Sequence, residues 1–367
     1  MRLQLFIVRP TMGEGGADRV TLTLLRELPR SRFAPTLVLM RHEGVLLPEV
    51  PRDVQVCSLE ARSLWTAWIA LTRLVRAHRP EVLFSTSSGT NLIAAIAHRL
   101  SGRAGRLVLS ERGALRSTLS WKKVLQRRLK RTLYPSADLI TSVSAGLKQE
   151  MVQDLGLPPE SISVIYNPIV DARLEAQAAE PLNHPWFAKA SKPEEGVVLA
   201  AGRLVPEKDF ATLFRAFADV RRNHDVRLLV LGEGPERGAL ERLAEDLGVA
   251  DYIALPGYDV NPFRYMSRCK MFVLSSRFEG LPGALIQAMA CEAPVIATDC
   301  PFGPSEILER PDTGILVPVG DSQCLATAMR RLLDEPETRR RMAAAGRAAS
   351  QRFSVEKVIS DYIEVLI

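Results

Sequence analysis

Short apolar runs alternate with amphipathic stretches along the whole chain. In the first half, apolar runs bounded by polar or turn residues predict strands at 3–8, 35–40, 82–85, 107–110 and 139–142. Apolar residues with helical spacing lie between several of these runs, as at 19–28 and 64–77. Strands that alternate with helices are typical of βαβ units, so we expect a parallel sheet covered by helices.

The second half repeats this pattern. It predicts strands at 197–201, 228–231, 271–274, 295–297 and 315–318, and helices at 210–222, 236–247, 283–290 and 324–333. Between the halves, residues 167–192 carry prolines and charges without periodicity, as linkers do. The pattern predicts an α/β protein with two doubly wound, Rossmann-like parallel-sheet domains. Ligands of such sheets bind at the carboxyl ends of the strands, so we expect the site in a cleft across which the domains face each other.

The expected domains are 1–170 and 171–349, followed by a C-terminal helix within 350–367. One face of that helix is apolar and consists of Val355, Val358, Ile359, Tyr362, Val365 and Leu366. A helix with a single apolar face needs a surface to cover. We therefore expect it to pack back towards the first domain.

Composition narrows the class of protein. A chain of 367 residues, 47% hydrophobic and 25% charged, fits two globular domains. The five cysteines are odd in number and form no Cys-x-x-Cys pair, which argues against a disulfide framework or a zinc site and favours a cytoplasmic protein. The run at 3–8 is too short for a signal peptide, and we find no stretch of about 18 apolar residues that could span a bilayer.

Charge divides the chain unevenly. Residues 1–170 contain 24 basic and 13 acidic residues, a balance of +11, whereas residues 171–367 contain 24 and 29, a balance of −5. A basic first half suggests an anionic partner: nucleic acid, phospholipid or a diphosphate-linked molecule. The alternative is that these cations only keep one domain soluble.

The basic residues are concentrated in one predicted helix at 120–134. Trp121, Leu125, Leu129 and Leu133 follow at intervals of four, with Val124 beside them. The flanking cations, which we expect to face a membrane, are Lys122, Lys123, Arg127, Arg128, Lys130 and Arg131. A basic amphipathic helix of this kind can lie on an anionic bilayer. Alternatively, the apolar stripe packs into the first domain and the cations are solvated, or the stripe is core and only the cations face lipid.

Three loops carry candidate chemistry. After the first strand, Gly15 and Gly16 precede a helix whose N-terminal amides can meet an anion, although such turns are often purely steric. Residues 202–210 place Arg203 and Lys208 between a strand and a helix, where two cations can neutralise a diphosphate. The alternative is a solvated loop with local ion pairs to Glu207 and Asp209.

The third loop follows the strand at 271–274. It presents Glu279 beside a Gly-Leu-Pro turn that opens a helix, and Gln287 lies one turn inside that helix. A carboxylate beside free amides can hold sugar hydroxyls and a departing phosphate; the alternative is an N-cap carboxylate. Within this helix, residues 285, 286 and 289 are expected to be core. No Asp-x-Asp motif and no Ser-His-Asp arrangement occurs, so we expect no metal, no cofactor and no hydrolase mechanism.

Taken together, these motifs resemble the retaining GT-B glycosyltransferases of family four, over nearly the whole chain. The resemblance rests on residues 15–20, 167–168, 202–208, 232–235, 255–258 and 278–290. Residues 261–266 and 303–308 further resemble bacterial enzymes that extend lipid-linked oligosaccharides. The resemblance implies a GT-B fold and sugar transfer from a nucleotide sugar.

The resemblance also implies roles for individual residues. Arg203 and Lys208 would bind the donor diphosphate, and Glu279 would contact the donor sugar, so these three are the expected catalytic residues. The implied donor-binding set is Gly15, Gly16, Arg203, Lys208, Glu233, Glu279, Gly280, Leu281, Pro282 and Gln287. The acceptor-side set is Glu111, Arg112 and Asn167.

Two positions depart from the family pattern. Gln287 stands where the family has a second acid that holds the ribose hydroxyls, and Arg112 stands where many relatives have a histidine. Glutamine can still hydrogen-bond a diol. No catalytic histidine is therefore assigned, and ribose binding is expected with altered strength.

The expected function is retaining, metal-independent transfer of a hexose or N-acetylhexosamine, with a UDP-sugar favoured as donor. The expected acceptor is a polyprenyl-diphosphate-linked saccharide at the inner face of the membrane, and no nucleic-acid partner is expected. Two alternatives remain: a non-catalytic GT-B binding or regulatory partner, and a GT-B sugar-nucleotide epimerase.

Overall fold

The fold was derived from a computed structural model of the chain. The structure describes residues 2–13, 15–61, 63–113, 115, 121–187 and 196–367, without the side chains of Leu64, Trp65, Trp121, Lys122 and Lys123. The chain forms two compact units: one runs to Pro168 and resumes at Val355, and the other runs from Ile169 to Ser354.

The first unit is built on a seven-stranded sheet. Its strands are β1 (Leu3–Arg9), β2 (Phe33–Leu39), β3 (Gln55–Ser58), β4 (Val82–Ser85), β5 (Arg106–Glu111), β6 (Leu139–Ser142) and β7 (Ile162–Val164). Its helices begin with α1 (Gly16–Glu27), α2 (Leu64–His78), α3 (Ser88–Leu100), α4 (Trp121–Leu133) and α5 (Ala145–Leu155). The strand order is β3-β2-β1-β4-β5-β6-β7, and the paired strands are parallel.

The second unit is built on a six-stranded sheet. Its strands are β8 (Gly196–Ala201), β9 (Val226–Leu231), β10 (Ile253–Gly257), β11 (Met271–Leu274), β12 (Val295–Thr298) and β13 (Ile315–Val317). Its helices are α6 (Ala172–Ala179), α7 (Phe210–Arg221), α8 (Arg237–Asp246), α9 (Phe263–Met266), α10 (Gly283–Ala290), α11 (Pro304–Ile307), α12 (Ser322–Asp334) and α13 (Pro336–Ser350). The order β10-β9-β8-β11-β12-β13 is again parallel.

Both sheets are doubly wound. In the first, successive strands run outward from β1 to β3 and then continue from β4 on the other side of β1. In the second, the same reversal falls between β8 and β11. Loops leave such neighbouring strands in opposite directions and open a crevice at their carboxyl ends. The fold class predicted from the sequence is confirmed, and each sheet has one crevice where ligands of this fold bind.

The chain returns to the first unit in α14 (Val355–Leu366). Its apolar face packs in the same core as Leu5 and Ile7 of β1, and the Tyr362 ring meets Phe84 of β4 edge-on at 5.9 Å. Tyr362 is fully buried. Burial of this face attaches the last helix to the first sheet, because an amphipathic helix of this length gains most of its stability from packing.

Part of the predicted linker is structured. Residues 172–179 form α6 of the second unit, and its C-terminal end is held by hydrogen bonds from later residues of the same unit: Asn261 Nδ2 donates to Gln177 O at 2.9 Å and to Glu180 Oε2 at 2.8 Å. Arg268 also donates to the carbonyl of Ala178 at 2.9 Å. The motif at 261–266 therefore fixes the position of α6.

Candidate active site

Lys208 and Glu279 come together at the crevice of the second sheet. Lys208 ends the loop that follows β8, and Glu279 lies in the loop that follows the neighbouring strand β11. Lys208 Nζ lies 2.5 Å from Glu279 Oε1, with the two side chains 24% and 12% exposed. The pair is thus shielded but reachable from solvent.

Hydroxyl groups hold both members of this pair in position. Ser276 Oγ donates to Glu279 Oε1 at 2.7 Å, and Ser275 Oγ donates to the carbonyl of Lys208 at 2.8 Å. From β12, Thr298 Oγ1 donates to the carbonyl of Ser276 at 2.6 Å. Three adjacent strands therefore fix one carboxylate and one ammonium, which is the preorganisation that charge stabilisation requires. Sequence reasoning missed Ser276 and Thr298, because their roles depend on the strand order.

Arg203 stands one residue beyond Gly202 at the carboxyl end of β8. Its side chain is exposed, and no hydrogen-bond or ion-pair partner is found for it among the described residues. Asp209 pairs instead with Arg277, at 3.0 Å, and Lys208 pairs with Glu279. The loop therefore does not form the local ion pairs considered as its alternative, and it leaves one guanidinium available for an anion.

Glycines of the next loop support the backbone of Arg203. A Cβ on Gly232, where φ is +148°, would lie 1.9 Å from the Gly202 carbonyl oxygen, and one on Gly234 would lie 2.3 Å from that of Leu204. The Leu204 amide donates to the Glu233 carbonyl at 2.8 Å. Only glycine permits this approach of the two loops. The motif at 232–235 thus positions the cationic loop.

The side chain of Glu233, expected in the donor site, is already engaged. Arg237, the first residue of α8, donates to both of its carboxylate oxygens, and this hydrogen bonding lowers the pKa of Glu233. The carboxylate remains about half exposed. It therefore keeps solvent-facing acceptor capacity beside the loop that carries Arg203.

The turn at Gly280, Leu281 and Pro282 leads into α10. A Cβ on Gly303, where φ is +92°, would lie 2.5 Å from Pro282 Cδ, so the loop after β12 packs directly against this turn. Helix α10 begins with no side-chain cap, and Gln287 is half-buried on its second turn. Its core residues are confirmed as fully buried: Leu285, Ile286 and Met289.

Cys300 lies near the Lys208–Glu279 pair, and the negative charge of Glu279 acts on its thiol. Burial, with a further contribution from Glu279, raises the pKa of Cys300 to about 12. The thiol is therefore protonated at neutral pH. Since the thiolate is the nucleophilic form of cysteine, Cys300 acts here as a small packing residue.

The crevice of the first sheet is organised differently. Arg9, at the end of β1, is 5% exposed; it pairs with Asp18 of α1 and donates to the carbonyl of Thr86, beyond β4, at 3.0 Å. Burial lowers the pKa of Arg9 despite the Asp18 charge. A Cβ on Gly15 would lie 3.1 Å from Asp18 Oδ2, whereas Gly16 faces open space. Gly15 makes room for the buried pair, and Gly16 keeps the helix start accessible.

The expected acceptor-side residues separate into two environments. Arg112 donates to Asn167 Oδ1 at 2.7 Å and to Tyr362 Oη at 2.9 Å, linking β5 to the end of the first unit and to its returning helix. Glu111 is 1% exposed and accepts hydrogen bonds from Lys130 at 2.6 Å and from Tyr134 at 2.7 Å. The Glu111 carboxylate is therefore not presented to an acceptor in this structure.

The expectation that Lys130 faces a membrane is wrong. Its side chain is 4% exposed, and its ammonium group is paired with Glu111 and hydrogen-bonded to Ser88 at 3.0 Å. A buried ammonium is stable only when it is paired in this way. Arg128 and Arg131 are exposed, and the Arg127 side chain, 40% exposed, lies 3.2 Å from Asp154. The side chains of Lys122 and Lys123 lie outside the described residues.

Two doubly wound parallel-sheet units are the architecture of the GT-B class, and the crevice of the second unit carries cations and a carboxylate. Residues 14–173 match the model of Glycosyltransferase Family 4, and residues 185–349 match that of Glycosyl transferases group 1. The chain is therefore a glycosyltransferase with a family-four domain and a group-1 domain. The family, the fold and the enzyme class predicted from the sequence are confirmed.

Individual relatives match over nearly their full length. The chain is 28% identical to an N-acetylgalactosamine-N,N'-diacetylbacillosaminyl-diphospho-undecaprenol 4-alpha-N-acetylgalactosaminyltransferase of Campylobacter jejuni, over 100% of the chain and 99% of the relative. It is 27% identical to the lipopolysaccharide core biosynthesis glycosyltransferase LpsE of Rhizobium meliloti, over 96% of each. The crystal structure of Anabaena HepE in complex with UDP-glucose shares the fold, with a TM-score of 0.83 and 20% identity over 100% and 99% of the two chains.

The described part of the chain lacks two kinds of feature. No helix in it combines the length and apolar character needed to cross a bilayer. No group of three or more His, Cys, Asp or Glu side chains in it could hold a metal ion.

Proposed function

We propose that this chain transfers a hexose or N-acetylhexosamine, with retention and without a metal ion, from a nucleotide sugar to a lipid-linked saccharide. The observation that carries the proposal is the Lys208–Glu279 pair at the crevice of the second sheet, together with Arg203, whose side chain has no partner in the described part of the chain. The proposed donor is a UDP-sugar, and the proposed acceptor carries a polyprenyl diphosphate. The named substrate of the Campylobacter relative and the UDP-glucose bound to HepE support these choices.

The charges suit a departing nucleoside diphosphate. Arg203 offers a planar fork that no carboxylate of the described residues engages, which suits bidentate binding of phosphate oxygens. Lys208 has three donors, so its ammonium can keep Glu279 while also meeting a phosphate. Together they supply the positive charge that other transferases obtain from a divalent cation.

Glu279 is proposed to hold the donor sugar. Its Oε1 accepts from Lys208 and Ser276, which leaves Oε2 for sugar hydroxyls. In a retaining transfer, the bond from the anomeric carbon to the diphosphate breaks while the acceptor oxygen bonds on the same face, and the acceptor proton leaves with the diphosphate. The protein then acts by positioning the reactants and stabilising charge.

The proposed setting is the inner face of a membrane, with the protein in a reducing compartment. All five cysteines are free in the structure, which supports such a compartment. The lipid-linked acceptor of the Campylobacter relative supports a reaction at the membrane surface.

Purified full-length protein tests the proposal when incubated with UDP- and GDP-sugars and a short-chain polyprenyl-diphosphate saccharide in excess EDTA. We expect glycosylated lipid with the anomeric configuration of the donor, read by NMR, at the same rate with and without EDTA. Loss of turnover that magnesium or manganese restores would refute metal independence. Conversion of the donor without acceptor would favour the epimerase, and donor binding without any product would favour the non-catalytic partner.

A further inference from the structure

Asp209 adopts a backbone conformation that few aspartates adopt. It directly follows Lys208 at the start of α7 and has φ +45° and ψ +46°, in the left-handed region. A residue other than glycine stays in this region only where surrounding contacts hold it there. The two neighbouring side chains diverge at this turn: that of Lys208 reaches Glu279, whereas the carboxylate of Asp209 lies against Arg277. The position of Lys208 in the crevice therefore depends on how residue 209 is held.

Arg277 contacts the residues on both sides of Lys208. Its Nη2 atom lies 3.0 Å from Asp209 Oδ2, and its backbone amide donates to the carbonyl of Glu207 at 2.8 Å. The Asp209 side chain is 5% exposed and also accepts a hydrogen bond from Thr212 Oγ1 at 2.8 Å. A carboxylate that is buried to this extent requires a charged partner, and Arg277 supplies it.

Packing leaves this loop unsupported on one side. A cavity of about 420 Å³ opens between the loop and the starts of α7 and α8, and its lining includes Val205, Pro206, Asp209 and Arg277. Empty space provides no contacts that could hold the backbone in place. On this side the loop is therefore held by polar contacts, among them the Asp209–Arg277 ion pair.

We propose that Asp209 and Arg277 are positioning residues for Lys208. Their ion pair holds residue 209 in the left-handed turn, and this turn directs the Lys208 ammonium into the crevice beside Glu279. The role of this pair rests on the proposed function in one respect, that the anion bound by Lys208 is a nucleoside diphosphate. Arg277 thus acts on the donor through Lys208 and without contacting it.

Lysine NMR of the full chain measures this positioning without any ligand. The chain has nine lysines, so isotope labelling of the lysine Cε gives few signals, and the Lys208 signal is identified by its loss in Lys208→Ala. A fixed side chain keeps its two Hε protons in different surroundings, so they have separate chemical shifts. An exposed, mobile side chain changes rotamer within nanoseconds, which averages the two shifts.

Four variants separate positioning from general stability. Arg277→Gln removes the ion pair, and Asp209→Asn/Arg277→Gln removes it without leaving a buried charge unpaired, since asparagine tolerates the left-handed turn. Arg277→Lys keeps the charge. The matched control Arg330→Gln removes another arginine–aspartate pair on α7, that of Arg330 with Asp219 at 2.7 Å, near the opposite end of the helix. Separate Lys208 shifts are expected for wild type, Arg277→Lys and the control, and averaged shifts for the other two variants.

Calorimetry with UDP tests the consequence for the donor. Arg277→Gln and the double variant should bind UDP about tenfold more weakly than wild type, the loss expected when a charge-assisted hydrogen bond is weakened. In Lys208→Ala, the further change Arg277→Gln should have no effect, because it acts through the missing ammonium. Separate Lys208 shifts or unchanged UDP affinity in Arg277→Gln, or a further loss of affinity in the Lys208→Ala background, would overturn the positioning role. If wild type fails to bind UDP while the shifts respond as expected, the proposed donor is wrong and the positioning role stands.

Discussion

Replacing Lys130 by methionine should destabilise the first unit in a pH-dependent way. Methionine keeps most of the aliphatic length of lysine and removes its charge, so the packing of α4 changes little. What changes is Glu111, which is 1% exposed and loses the charge that compensates it. Hydrogen bonds from Tyr134 and Ser88 remain.

The size of the effect follows from the protonation of Glu111. In the wild type, burial acts to raise the pKa of Glu111. The charge and hydrogen bond of Lys130, together with the hydrogen bonds from Ser88 and Tyr134, nevertheless hold this pKa below its usual value. Without Lys130, burial dominates and the folded pKa rises above the unfolded one. At pH 7, which is roughly 2.7 pH units above an unfolded pKa of about 4.3, neutralising the carboxylate costs about 1.4 kcal/mol for each pH unit, or about 4 kcal/mol. At pH 5 the same cost is about 1 kcal/mol.

The sign of the pH dependence therefore reverses between the two proteins. In the wild type, the lowered pKa of Glu111 gives stability that is present above the unfolded pKa and lost as pH falls through the folded pKa. In Lys130→Met, the raised pKa gives stability that is present below the unfolded pKa and lost as pH rises through the folded one. The variant should thus gain stability from pH 7 to pH 5, where the wild type stays level.

Hydrogen exchange of the β5 amides measures this free energy for the first unit alone, and the β9 amides of the second unit serve as an internal control. The double variant Lys130→Met/Glu111→Gln removes both charges and should recover most of the loss and abolish the pH slope. A loss below about 1 kcal/mol at pH 7 in Lys130→Met would refute the reasoning, since a broken buried pair typically costs about 3–5 kcal/mol.

Two further predictions concern the second unit. Arg203→Ala and Lys208→Ala should each lower kcat/KM, because each variant loses about 2–4 kcal/mol of transition-state stabilisation, with little change in melting temperature. The control Arg222→Ala should leave kcat/KM unchanged, because the Arg222 side chain is 79% exposed. Near-normal rates in both test variants would contradict their assignment. Gln287→Glu should be tolerated and tighten donor binding, measured by calorimetry, while Glu279→Gln should lower kcat strongly because the carboxylate that meets Lys208 loses its charge. Equal effects of the two substitutions would contradict the assignment of Glu279 and Gln287 to the donor site.

The strands that the sequence predicts are those with continuous apolar runs, because central strands of a parallel sheet are buried on both faces. The strands that it misses have other patterns. β3 is a half-buried edge strand, β7 has three residues, and β10 contains Pro256 and Gly257, which are rare inside strands. Such strands depend on pairing with a neighbour that is distant in sequence.

The candidate site shows the same division. Arg203, Lys208 and Glu279 could be selected from the sequence, because each follows a predicted strand in a loop. The hydrogen bonds of Ser276 and Thr298 could not, because they require knowing that β8, β11 and β12 are neighbours. In α4, periodicity indicates two faces but not which one is buried; Glu111, at the end of β5, decides that Lys130 turns inward.

Topology alone creates two equivalent places for a charged site, one at each crevice. At β1 and β4, Arg9 bridges the two strands, but it is 5% exposed and both of its terminal nitrogens are engaged by Thr86 and Asp18. At β8 and β11, Lys208 and Glu279 bridge the strands while remaining partly exposed, and Arg203 beside them is unpartnered among the described residues. A buried charge whose terminal nitrogens are already engaged has little capacity left for a ligand, whereas an exposed charge without a partner can bind a diphosphate at little desolvation cost. Burial and hydrogen bonding, more than strand order, are therefore the basis on which we propose that the charge chemistry of this enzyme lies in its second unit.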